Sequence, residues 1–598
     1  MIAKEKIGNQ VMLNSSTVTS IFLTSVLCGI SLYGLAQQDS SSIRFDSISD
    51  AELVEPSDQD WLIWRRTYDA QGYSPLDQIN KDNVGELEEA WRISLLEGPN
   101  MATPLVHDGV MFLASAQDTV LALDATTGKQ LWKYEHRPTG FPSPRIGIAL
   151  HGDKVIVPTQ NMQVVALEAA TGEVLWKHEI GTPQHEEPLR LPYSLRGAPL
   201  VANGMVLQGV TATMIPEGGF IVGLDLETGQ EVWRFHSIAR PDEPGGNTWN
   251  NLALKDRSGG SVWVPASYDP ELDLAYYGTA PTYDTAPLLH SLDEEGVSNE
   301  ALYTNATVAL RPRTGELVWF FQHMPNDQWD LDWVFERQIV ELEVNGVTRK
   351  VVLTAGKMAL YDVLDAATGK YLNSFDVGLQ NIVTAVDPRT GDKIINPRAI
   401  PNAEDANLLC PMANAGRNWP SASINPKTKM LYLPLAEICM MFGPTSDTRT
   451  LLTTGVAIVP QPMVGSDGKF GRVQAINLET GEMEWNFREV VPPVSATLST
   501  AGGVLFVGTL DNRFLALNDT DGNILWEDDL GDIPNSVPIS YGVAGKQYVA
   551  VVVGQPSVYH ATVLKSYVDG FLGDESPLVN LPRVGPALVV YSLNKLQV

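Results

Sequence analysis

Two aspartates, Asp330 and Asp332, stand two residues apart and directly follow Trp329 and Leu331, respectively. In extended backbone, residues i and i+2 point to the same side, so both carboxylates can face one cavity. Two carboxylates in one cavity can share a cation or a proton. The alternative is a solvated loop in which the acids only favour turns. The repeat in which the pair lies favours the first interpretation.

The composition narrows the class of protein. The 598 residues include 41 Lys and Arg against 71 Asp and Glu, a net charge of −30. Such a surface argues against nucleic acid and anionic membranes as partners and favours a cation or a basic protein. The 50 Gly and 39 Pro are typical of a turn-rich all-β chain. The nine His form no H-x-H or H-E-x-x-H pattern, and no Gly-x-Gly-x-x-Gly opens a helix. Zinc, copper and nicotinamide chemistry therefore have no support.

The N-terminus has the pattern of an export signal. Lys4 and Lys6 precede an apolar stretch over residues 21–35, and Gly34-Leu35-Ala36 offers small residues for cleavage. We predict a signal peptide over residues 1–36, a single domain over residues 37–598 and a periplasmic location. The alternative is a retained membrane anchor, although the apolar stretch is short for a span and no second one follows.

Cysteine use agrees with export. Removal of residues 1–36 takes Cys28 with it and leaves Cys410 and Cys439. An even pair in an exported protein suggests one disulfide, with two buried free thiols as the alternative. The chain contains no C-x-x-C-H, so no covalently held haem is encoded.

Seven segments repeat one pattern, in which an apolar strand, a tight turn ending in Gly and a second strand follow one another. Six of the seven close with Trp. The turn glycines are Gly128, Gly172, Gly229, Gly315, Gly369, Gly481 and Gly522. Repeated units of this kind stack because each cannot bury its faces alone. The shorter intervals, from 41 to 57 residues, fit one four-stranded blade of a β-propeller.

The blade count follows from the intervals. The longest, between Gly369 and Gly481, spans 112 residues and has room for two units, and residues 431–435 look like a strand of the hidden one. Trp91 ends an earlier unit of the same kind. We predict eight blades, with seven as the alternative. The last apolar run, Ala587–Leu593, is expected to pair with N-terminal sequence and hide a sheet edge, and each closing Trp to pack between neighbouring blades.

The repeated Ala-x-Asp-x-x-Thr-Gly-x-x-x-Trp, with Trp-Asp-x-Asp after its fourth copy, resembles the quinoprotein alcohol dehydrogenases. These enzymes use pyrroloquinoline quinone (PQQ) and include methanol dehydrogenase. The resemblance runs from about Asp60 to the C-terminus, with further matches at residues 73–84 and 410–419. It implies an all-β, eight-bladed propeller with PQQ at the axis and a cation beside it.

The resemblance also assigns roles. It makes Asp330 the catalytic base and a metal ligand, and it places Asp332 where members that use a lanthanide instead of calcium carry an acid. Lys357 matches the cationic residue near the reactive carbonyl of the quinone, and the family disulfide matches Cys410 and Cys439. The cofactor-binding set is Arg145, Arg196, Thr211, Ala212, Thr213, Trp263, Lys357 and Asn418.

Each role has a structural alternative. Asp330 could be a metal ligand only or a structural cap, and Lys357 a solvated turn lysine. Arg145 and Arg196 are natural partners for the carboxylates of PQQ, but either could form a surface salt bridge. Trp263 could stack on the quinone or be another wedge between blades.

Three positions depart from the family. Met214 and Pro281 replace a glutamate and an asparagine that bind the metal, and Met101 replaces a glutamate that touches the quinone. The vicinal cysteine pair expected shortly before Arg145 is missing as well. Glu217 and Asp284 lie within three residues of the lost ligands and are the candidate replacements.

These observations predict an exported dehydrogenase that oxidises an alcohol or polyol with PQQ and Ca²⁺ or a lanthanide ion. Because it encodes no haem, it should pass electrons to a separate soluble cytochrome c, and its acidic surface would help to recruit a basic one. The departures favour the alternative, a non-catalytic propeller that is a scaffold or assembly protein of the same superfamily. A carbohydrate-binding module is a further alternative, but it would not need a buried acid pair on the axis.

Overall fold

The computed structural model describes residues 43–136, 144–185, 189, 191–444, 456–554 and 561–594. The predicted signal peptide, residues 1–36, lies outside the described residues. The described residues contain thirty-eight strands and two α-helices, α1 (Asp50–Val54) and α2 (Ala561–Leu572). Seven three-residue 3₁₀ turns lie in loops, at Val84–Glu86, Ala116–Asp118, Gly246–Thr248, Leu254–Asp256, Ala286–Leu288, Pro397–Ala399 and Gly573–Glu575.

The strands follow one another along the whole described chain. The first half contains β1 (Tyr73–Ser74), β2 (Leu87–Ser94), β3 (Leu105–His107), β4 (Val110–Ser115), β5 (Thr119–Asp124), β6 (Gln130–Glu135), β7 (Ala149–His151), β8 (Lys154–Pro158), β9 (Gln163–Glu168), β10 (Val174–Glu179), β11 (Leu200–Ala202), β12 (Met205–Val210), β13 (Phe220–Asp225), β14 (Glu231–His236), β15 (Ser267–Asp269), β16 (Leu274–Gly278), β17 (Ala306–Leu310) and β18 (Leu317–Gln322). The second half contains β19 (Gln338–Val344), β20 (Val347–Ala355), β21 (Leu360–Asp365), β22 (Tyr371–Asp376), β23 (Val383–Val386), β24 (Lys393–Ile395), β25 (Asn407–Leu409), β26 (Ser423–Asn425), β27 (Met430–Ala436), β28 (Ile438–Pro444), β29 (Val456–Pro462), β30 (Gly471–Asn477), β31 (Met483–Glu489), β32 (Leu498–Thr500), β33 (Val504–Gly508), β34 (Arg513–Asn518), β35 (Ile524–Asp529), β36 (Ile539–Val543), β37 (Lys546–Val553) and β38 (Ala587–Leu593).

The sheets have the form of propeller blades, as the repeat predicts. Of the ten sheets among the described residues, seven have four strands and one has five. Their orders are β3-β4-β5-β6, β7-β8-β9-β10, β11-β12-β13-β14, β15-β16-β17-β18, β19-β20-β21-β22, β26-β27-β30-β31, β1-β32-β33-β34-β35 and β36-β37-β38-β2. In most of these sheets one edge strand, such as β3, is completely buried, whereas the opposite edge strand, such as β6, exposes alternate residues. This gradient is expected where one edge faces an axis and the other faces solvent.

A tryptophan contact joins neighbouring blades. The Trp132 indole, at the end of one repeat, packs on the turn of the next, where a Cβ at Gly172 would lie 2.7 Å from its ring. Its Nε1–H donates to the carbonyl of Ala169 in that turn, at 2.8 Å. The same pair of contacts recurs for Trp91, Trp176, Trp233, Trp319 and Trp485. The prediction that these tryptophans pack between blades is confirmed.

Among the described residues of the 112-residue interval, which leave out 445–455, there is no additional four-stranded unit. The predicted strand over residues 431–435 forms as β27, but it pairs with β30 of the sixth repeat. The prediction of a hidden unit was therefore wrong. The extra residues form the β23-β24 hairpin and the three-stranded sheet β25-β28-β29. Strands β28 and β29 lie between β27 and β30 in the chain, so spacing alone could not reveal this pairing.

The C-terminal strand closes the last large sheet, as predicted. Strand β38 lies between β37 and β2, so the last described strand pairs with one from the start of the domain. Trp91 belongs to β2 and lies opposite Val590. Because β2 takes the outer position, the C-terminal strand has a partner on each side and leaves no exposed edge of its own.

An N-terminal segment, residues 59–74, crosses the buried edges of the sheets. Backbone hydrogen bonds link it to β3, β15, β19, β26 and β36, and it ends in β1, which pairs with β32. Within it, the Arg65 guanidinium is completely buried and donates to the carbonyls of Ala422 and Thr497, at 2.6 and 3.1 Å. A Cβ at Gly72 would lie 1.8 Å from this guanidinium, so only glycine fits there. The segment thus ties several blades to one another.

Two further features complete the fold. Cys410 and Cys439 form a disulfide, as predicted, which links β28 to the loop before β26. Helix α2 buries Ala561, Leu564 and Val568 in a core cluster that also contains Trp329 and Trp333. In the part of the chain that is described, no helix is both long and apolar enough to cross a membrane.

The tryptophan contact can be tested by comparing two glycines. Gly229 and Gly346 have positive φ values of 71° and 75°, but only Gly229 packs on a ring, that of Trp176. An alanine in the left-handed region costs about 1–2 kcal/mol at either site. At Gly229 overpacking adds about 1–3 kcal/mol. We expect Gly229→Ala to lower the midpoint of urea unfolding more than Gly346→Ala. Equal midpoints would show that the contact contributes nothing.

A second prediction concerns a buried histidine. His107 Nδ1 lies 2.9 Å from Asp60 Oδ2, and its Nε2 lies 3.1 Å from the carbonyl oxygen of Asp46. Burial alone lowers the pKa of His107, but the hydrogen bond and charge of Asp60 outweigh it, so the pKa lies above its ordinary value. The protonated ring can donate to both acceptors. Its stabilisation is therefore complete below the unfolded pKa of about 6.5 and is lost as pH rises through the folded pKa.

We expect the stability difference between the wild-type chain and His107→Gln to be larger at pH 5.5 than at pH 8.5. Urea unfolding at the two pH values measures it, with His185→Gln as the control for an unrelated, partly buried histidine. A difference that does not change with pH would contradict the assignment of a charged His107.

Candidate functional site

The loop between β18 and β19 carries the acid pair. Asp327 holds this loop, because its carboxylate accepts the backbone N–H of Trp329 and of Leu331, each at 2.7 Å. The Asn305 amide donates to the same carboxylate at 2.8 Å and accepts from the backbone N–H of Trp333 at 3.1 Å. The loop is therefore fixed on both sides of Asp330, which has a φ of 61°.

Asp330 and Asp332 converge on one lysine, as predicted, although Asp330 has a left-handed φ and not the extended backbone on which the prediction rested. Lys357 Nζ lies 3.1 Å from Asp330 Oδ2 and 3.5 Å from Asp332 Oδ2, and it also donates to the carbonyl of Asp330 at 2.8 Å. All three side chains are almost completely buried, with 6 to 12% exposed. The interpretation of the acids as a solvated loop is therefore wrong, and so is that of Lys357 as a solvated turn lysine.

Burial determines the electrostatics of this group. It raises the pKa of Asp330 well above the usual range, and the Lys357 charge opposes this while Asp332 and Asp327 add to it. Burial raises the pKa of Asp332 as well, against the Lys357 charge. Burial alone lowers the pKa of Lys357, but the two carboxylates outweigh it and raise the pKa. One lysine charge balances only one carboxylate, so ionisation of both favours a further cation.

The acid pair could supply some, but not all, of the oxygen ligands that a hard cation needs. Asp330 Oδ1 and Asp332 Oδ1 are buried and have no hydrogen-bond partner, so two carboxylate oxygens are free for such an ion. Calcium prefers six to eight oxygen ligands. Within the described ranges, no group of three or more His, Cys, Asp or Glu could hold a metal. A cation here would need further ligands from backbone, hydroxyl groups or a cofactor.

The predicted replacements for the lost ligands do not join the acid pair. Glu217 has a backbone φ of 66° and lies 3.9 Å from Arg240, whose side chain also donates to the Glu217 carbonyl. Asp284 is exposed. Met214 and Pro281 occupy the ligand positions with side chains that offer no oxygen. The loop shifts that would bring Glu217 or Asp284 to the cation are absent from this structure.

The predicted cofactor-binding residues lie in or near two series of backbone contacts. Ile146 N–H donates to the carbonyl of Arg196, and Ser194 pairs with Thr211 through two hydrogen bonds. Val262 N–H then donates to Val210. On the other side of the site, Lys357 N–H donates to Asp332, and Arg417 N–H donates to Lys357. The residues named in the prediction are Arg145, Arg196, Thr211, Ala212, Thr213, Trp263, Lys357 and Asn418, and each is within two residues of one of these contacts.

Arg145 and Thr211 offer buried donors without partners. The Arg145 guanidinium is 6% exposed and forms an ion pair with Asp118, whose side chain is completely buried. Its Nε and Nη2, and the hydroxyl of Thr211, are buried without a hydrogen-bond partner. Unpaired buried donors are costly, so this part of the site fits an anionic, oxygen-rich ligand such as PQQ. The surface salt bridge considered for Arg145 is excluded, because its partner is buried.

Trp263 packs against a buried apolar cluster that contains Trp419, the residue next to Asn418. The half-buried Trp263 ring packs edge-on against Phe335, with 5.6 Å between ring centroids. Unlike the blade tryptophans, Trp263 precedes an innermost strand, β15, so it is not a wedge of their kind. The Asn418 side chain accepts from the N–H of Trp419, which leaves its amide group as the free donor.

Two residues near the site were missed by the sequence analysis. Tyr283 is buried, and its pKa is raised well above the usual range by burial and by Asp330 and Asp332, while Arg196 opposes the rise. It therefore lies among the acids. Asp118 neutralises Arg145 from another blade. Neither stands in a motif, and Asp118 could have been suspected only because a buried arginine needs a partner.

Comparisons with known proteins agree with this geometry. The family model described as "PQQ: Glucose/ethanol/alcohol dehydrogenase, beta-propeller domain" matches residues 61–377 and 392–549. The quinohemoprotein alcohol dehydrogenase ADH IIB of Pseudomonas putida is 31% identical over 524 residues, covering 84% of this chain and 74% of that one. The 1-butanol dehydrogenase (cytochrome c) of Thauera butanivorans is 30% identical, covering 83% and 75%. A europium-containing methanol dehydrogenase structure superposes with a TM-score of 0.78, 26% identity and coverage of 91% and 100%.

The acid–lysine group leads to a prediction about stability. Lys357→Met leaves two buried carboxylates without a positive partner, and such a loss costs about 3–5 kcal/mol. Lys133→Met is the control, because Lys133 pairs with Glu135 at a site where both side chains are at least a third exposed, and such pairs contribute about 0–1 kcal/mol. Urea unfolding at pH 7, without quinone or metal, measures both. Equal losses would show that Lys357 does not balance the acids.

Proposed function

The chain belongs to the family of PQQ-dependent glucose, ethanol and alcohol dehydrogenase β-propellers, and it is a PQQ-dependent alcohol dehydrogenase. From this premise, we propose that it is exported, oxidises an alcohol or polyol with PQQ and Ca²⁺ or a lanthanide ion, and passes the electrons to a separate cytochrome c. The observation that carries this proposal is the buried group of Asp330, Asp332 and Lys357, which combines a base, a cation site and a positive charge at one place.

We assign the base to Asp330. Its carboxylate is fixed by a loop held through Asp327, and burial raises its pKa well above that of a solvated aspartate. A carboxylate with a raised pKa takes a hydroxyl proton more readily than one that is fully solvated. We propose that Asp330 removes the proton of the alcohol and that Lys357 balances the negative charge that the two acids bring into the site.

The remaining predicted residues would hold the cofactor. PQQ, when bound, would accept the hydride, which carries both electrons of the oxidation, and a cation would supply Lewis acidity. We propose that Arg145 and Arg196 bind its carboxylates, that Thr211, Ala212 and Thr213 bind its edge, and that Trp263 packs against its ring. Asn418 would donate through its amide. Asp330 and Asp332 would bind the cation.

The proposals for the electron acceptor and for the cellular location rest on the net charge of the chain, on a relative and on the disulfide. One relative is described as a 1-butanol dehydrogenase that uses cytochrome c. The net charge of −30 supports a basic cytochrome c as the acceptor. We also propose that residues 1–36 are removed as a signal peptide on export to the periplasm. The Cys410–Cys439 disulfide supports an oxidising compartment.

We further propose that the propeller has eight blades. The eight larger sheets among the described residues support this count. The smaller sheets, β23-β24 and β25-β28-β29, are then additions to the ring. The relatives supply a reason to prefer the enzyme over a non-catalytic scaffold, because those reported above are alcohol dehydrogenases.

Reconstitution tests the proposal. The purified chain is mixed with PQQ in separate Ca²⁺ and La³⁺ series, and the quinone absorbance and the dye-linked oxidation of a panel of alcohols are followed. We expect stoichiometric quinone binding and turnover with one of the ions. Asp330→Asn should lower kcat about 10²- to 10⁴-fold, since it removes the base.

Asp467→Asn is the matched control, because Asp467 also has a left-handed φ, 53°, but is exposed and lies far along the chain from the acid pair. It should turn over like the wild type. A wild-type chain that binds no quinone with either ion would overturn the proposed function. Full activity in Asp330→Asn would overturn the assignment of the base.

A further inference from the structure

A buried polar network lies behind the loop that carries Asp330 and Asp332. Its centre is Asp362 in β21, whose side chain is completely inaccessible. His323 Nδ1 lies 2.7 Å from Asp362 Oδ2, and Lys393 Nζ donates to the same oxygen at 2.5 Å. Ser374 donates to the other carboxylate oxygen at 2.6 Å. The carboxylate is thus held by three donors.

The hydrogen bonds determine the protonation of this network. Arg337 Nε–H donates to the Thr307 hydroxyl at 3.1 Å, so that hydroxyl is left to donate to His323 Nε2, at 2.7 Å. His323 therefore carries its proton on Nδ1 and donates it to Asp362. Burial lowers the pKa of His323 to about 4, so the ring is neutral at neutral pH. The charges of Asp362 and Lys393 balance one another, and the Arg337 guanidinium adds a further positive charge at the edge of the network.

The network meets the site loop at Trp333. The rings of His323 and Trp333 are stacked, with 4.5 Å between centroids and 6° between planes. Lys393 Nζ lies 5.1 Å from the centre of the same indole. Gly356 packs against the indole from the strand end that leads to Lys357, where a Cβ would lie 2.6 Å from Trp333 Nε1. Trp333 directly follows Asp332, so a shift of this ring moves the acid pair.

Lys393 comes from outside the blades. It belongs to the β23-β24 hairpin, and its side chain is only 1% exposed although the hairpin is largely at the surface. Residues 378–391, which include β23 and the turn, lie between the two stretches that match the family. Lys393 and β24 themselves lie at the start of the second matched stretch. A lysine from this hairpin, which is outside the blades, thus completes a buried ion pair behind the loop that carries Asp330 and Asp332.

We propose that His323, Asp362 and Lys393 are positioning residues for the oxidation, and that they fix Trp333 and through it the geometry of Asp330 and Asp332. None of the three faces the alcohol or the quinone in this assignment. The proposal rests on the proposed function, because the loop matters for turnover only if Asp330 and Asp332 act there.

The test compares Asp362→Asn, Lys393→Met and the double variant, each reconstituted with PQQ. The double variant removes both charges and keeps the network neutral, so it remains informative if a single variant leaves a buried charge and does not fold. Lys393→Arg keeps the charge and serves as the conservative variant. The measurements are kcat, KM and the dissociation constants of Ca²⁺ and La³⁺ from the quinone absorbance.

The matched controls are Asp60→Asn and His107→Phe. They remove a second buried histidine–aspartate pair, which lies on the N-terminal segment and β3 and stabilises the fold without contact to the site loop. They should lose stability and keep kcat and ion affinity.

We expect Asp362→Asn and the double variant to lower kcat and weaken ion affinity by about 10- to 100-fold, as loss of residues that orient ligands does, with KM changed less. Lys393→Arg should retain most of the activity. Folded Asp362→Asn and double variants with kcat and ion affinity like those of the controls would overturn this inference. A wild-type chain that binds no quinone would overturn it together with the proposed function.

Discussion

The contact between a tryptophan at the end of one repeat and the glycine turn of the next holds the fold together. The indole covers the turn, and its N–H satisfies a turn carbonyl that would otherwise be buried without a partner. Each contact joins two blades at their outer strands, where the sheets diverge and the gap between them is widest. Because the glycine has both a positive φ and a ring against it, this position and the tryptophan constrain each other.

The innermost strands leave a different problem, since the large sheets have buried inner edges. Residues 59–74 solve it by crossing those edges with backbone hydrogen bonds, and the Arg65 guanidinium satisfies carbonyls from two blades. Burial lowers the pKa of Arg65 to about 10, which still leaves it charged at neutral pH. The charge of Glu336, which pairs with Arg417, opposes this fall. Residues 59–74 therefore tie the inner edges of several blades to one another.

The fixed position of the loop that carries Asp330 and Asp332 matters for its chemistry. Asp330 and Asp332 are held close together in a buried place where like charges repel strongly, and only a fixed framework can prevent them from separating. Asp327 and Asn305 fix the loop on its near side, and Trp333 fixes it from behind. Lys357 supplies one positive charge. What remains at the acid pair is an unbalanced carboxylate with a free oxygen, which a cation complements. The unpaired donors of Arg145 and Thr211 complement an anionic quinone.

The sequence by itself determined the repeating unit, the packing role of the tryptophans, the closing strand Ala587–Leu593 and the convergence of Asp330 and Asp332. These depend on local periodicity and on residues that are close together in the chain. The disulfide between Cys410 and Cys439 was also within reach, because only two cysteines follow residue 36. The candidate cofactor residues came chiefly from the resemblance, and the structure shows buried donors without hydrogen-bond partners at two of them, Arg145 and Thr211.

Only the tertiary structure decided how distant segments combine. Residues 431–435 pair with the sixth repeat because β28 and β29 leave the sheet and return to it, which spacing cannot show. Asp118, Tyr283 and the His323–Asp362–Lys393 network lie outside any motif, since their partners come from other blades or from an added hairpin. Their importance follows from burial: a charged group without water must find its partner in three dimensions, wherever in the chain that partner stands.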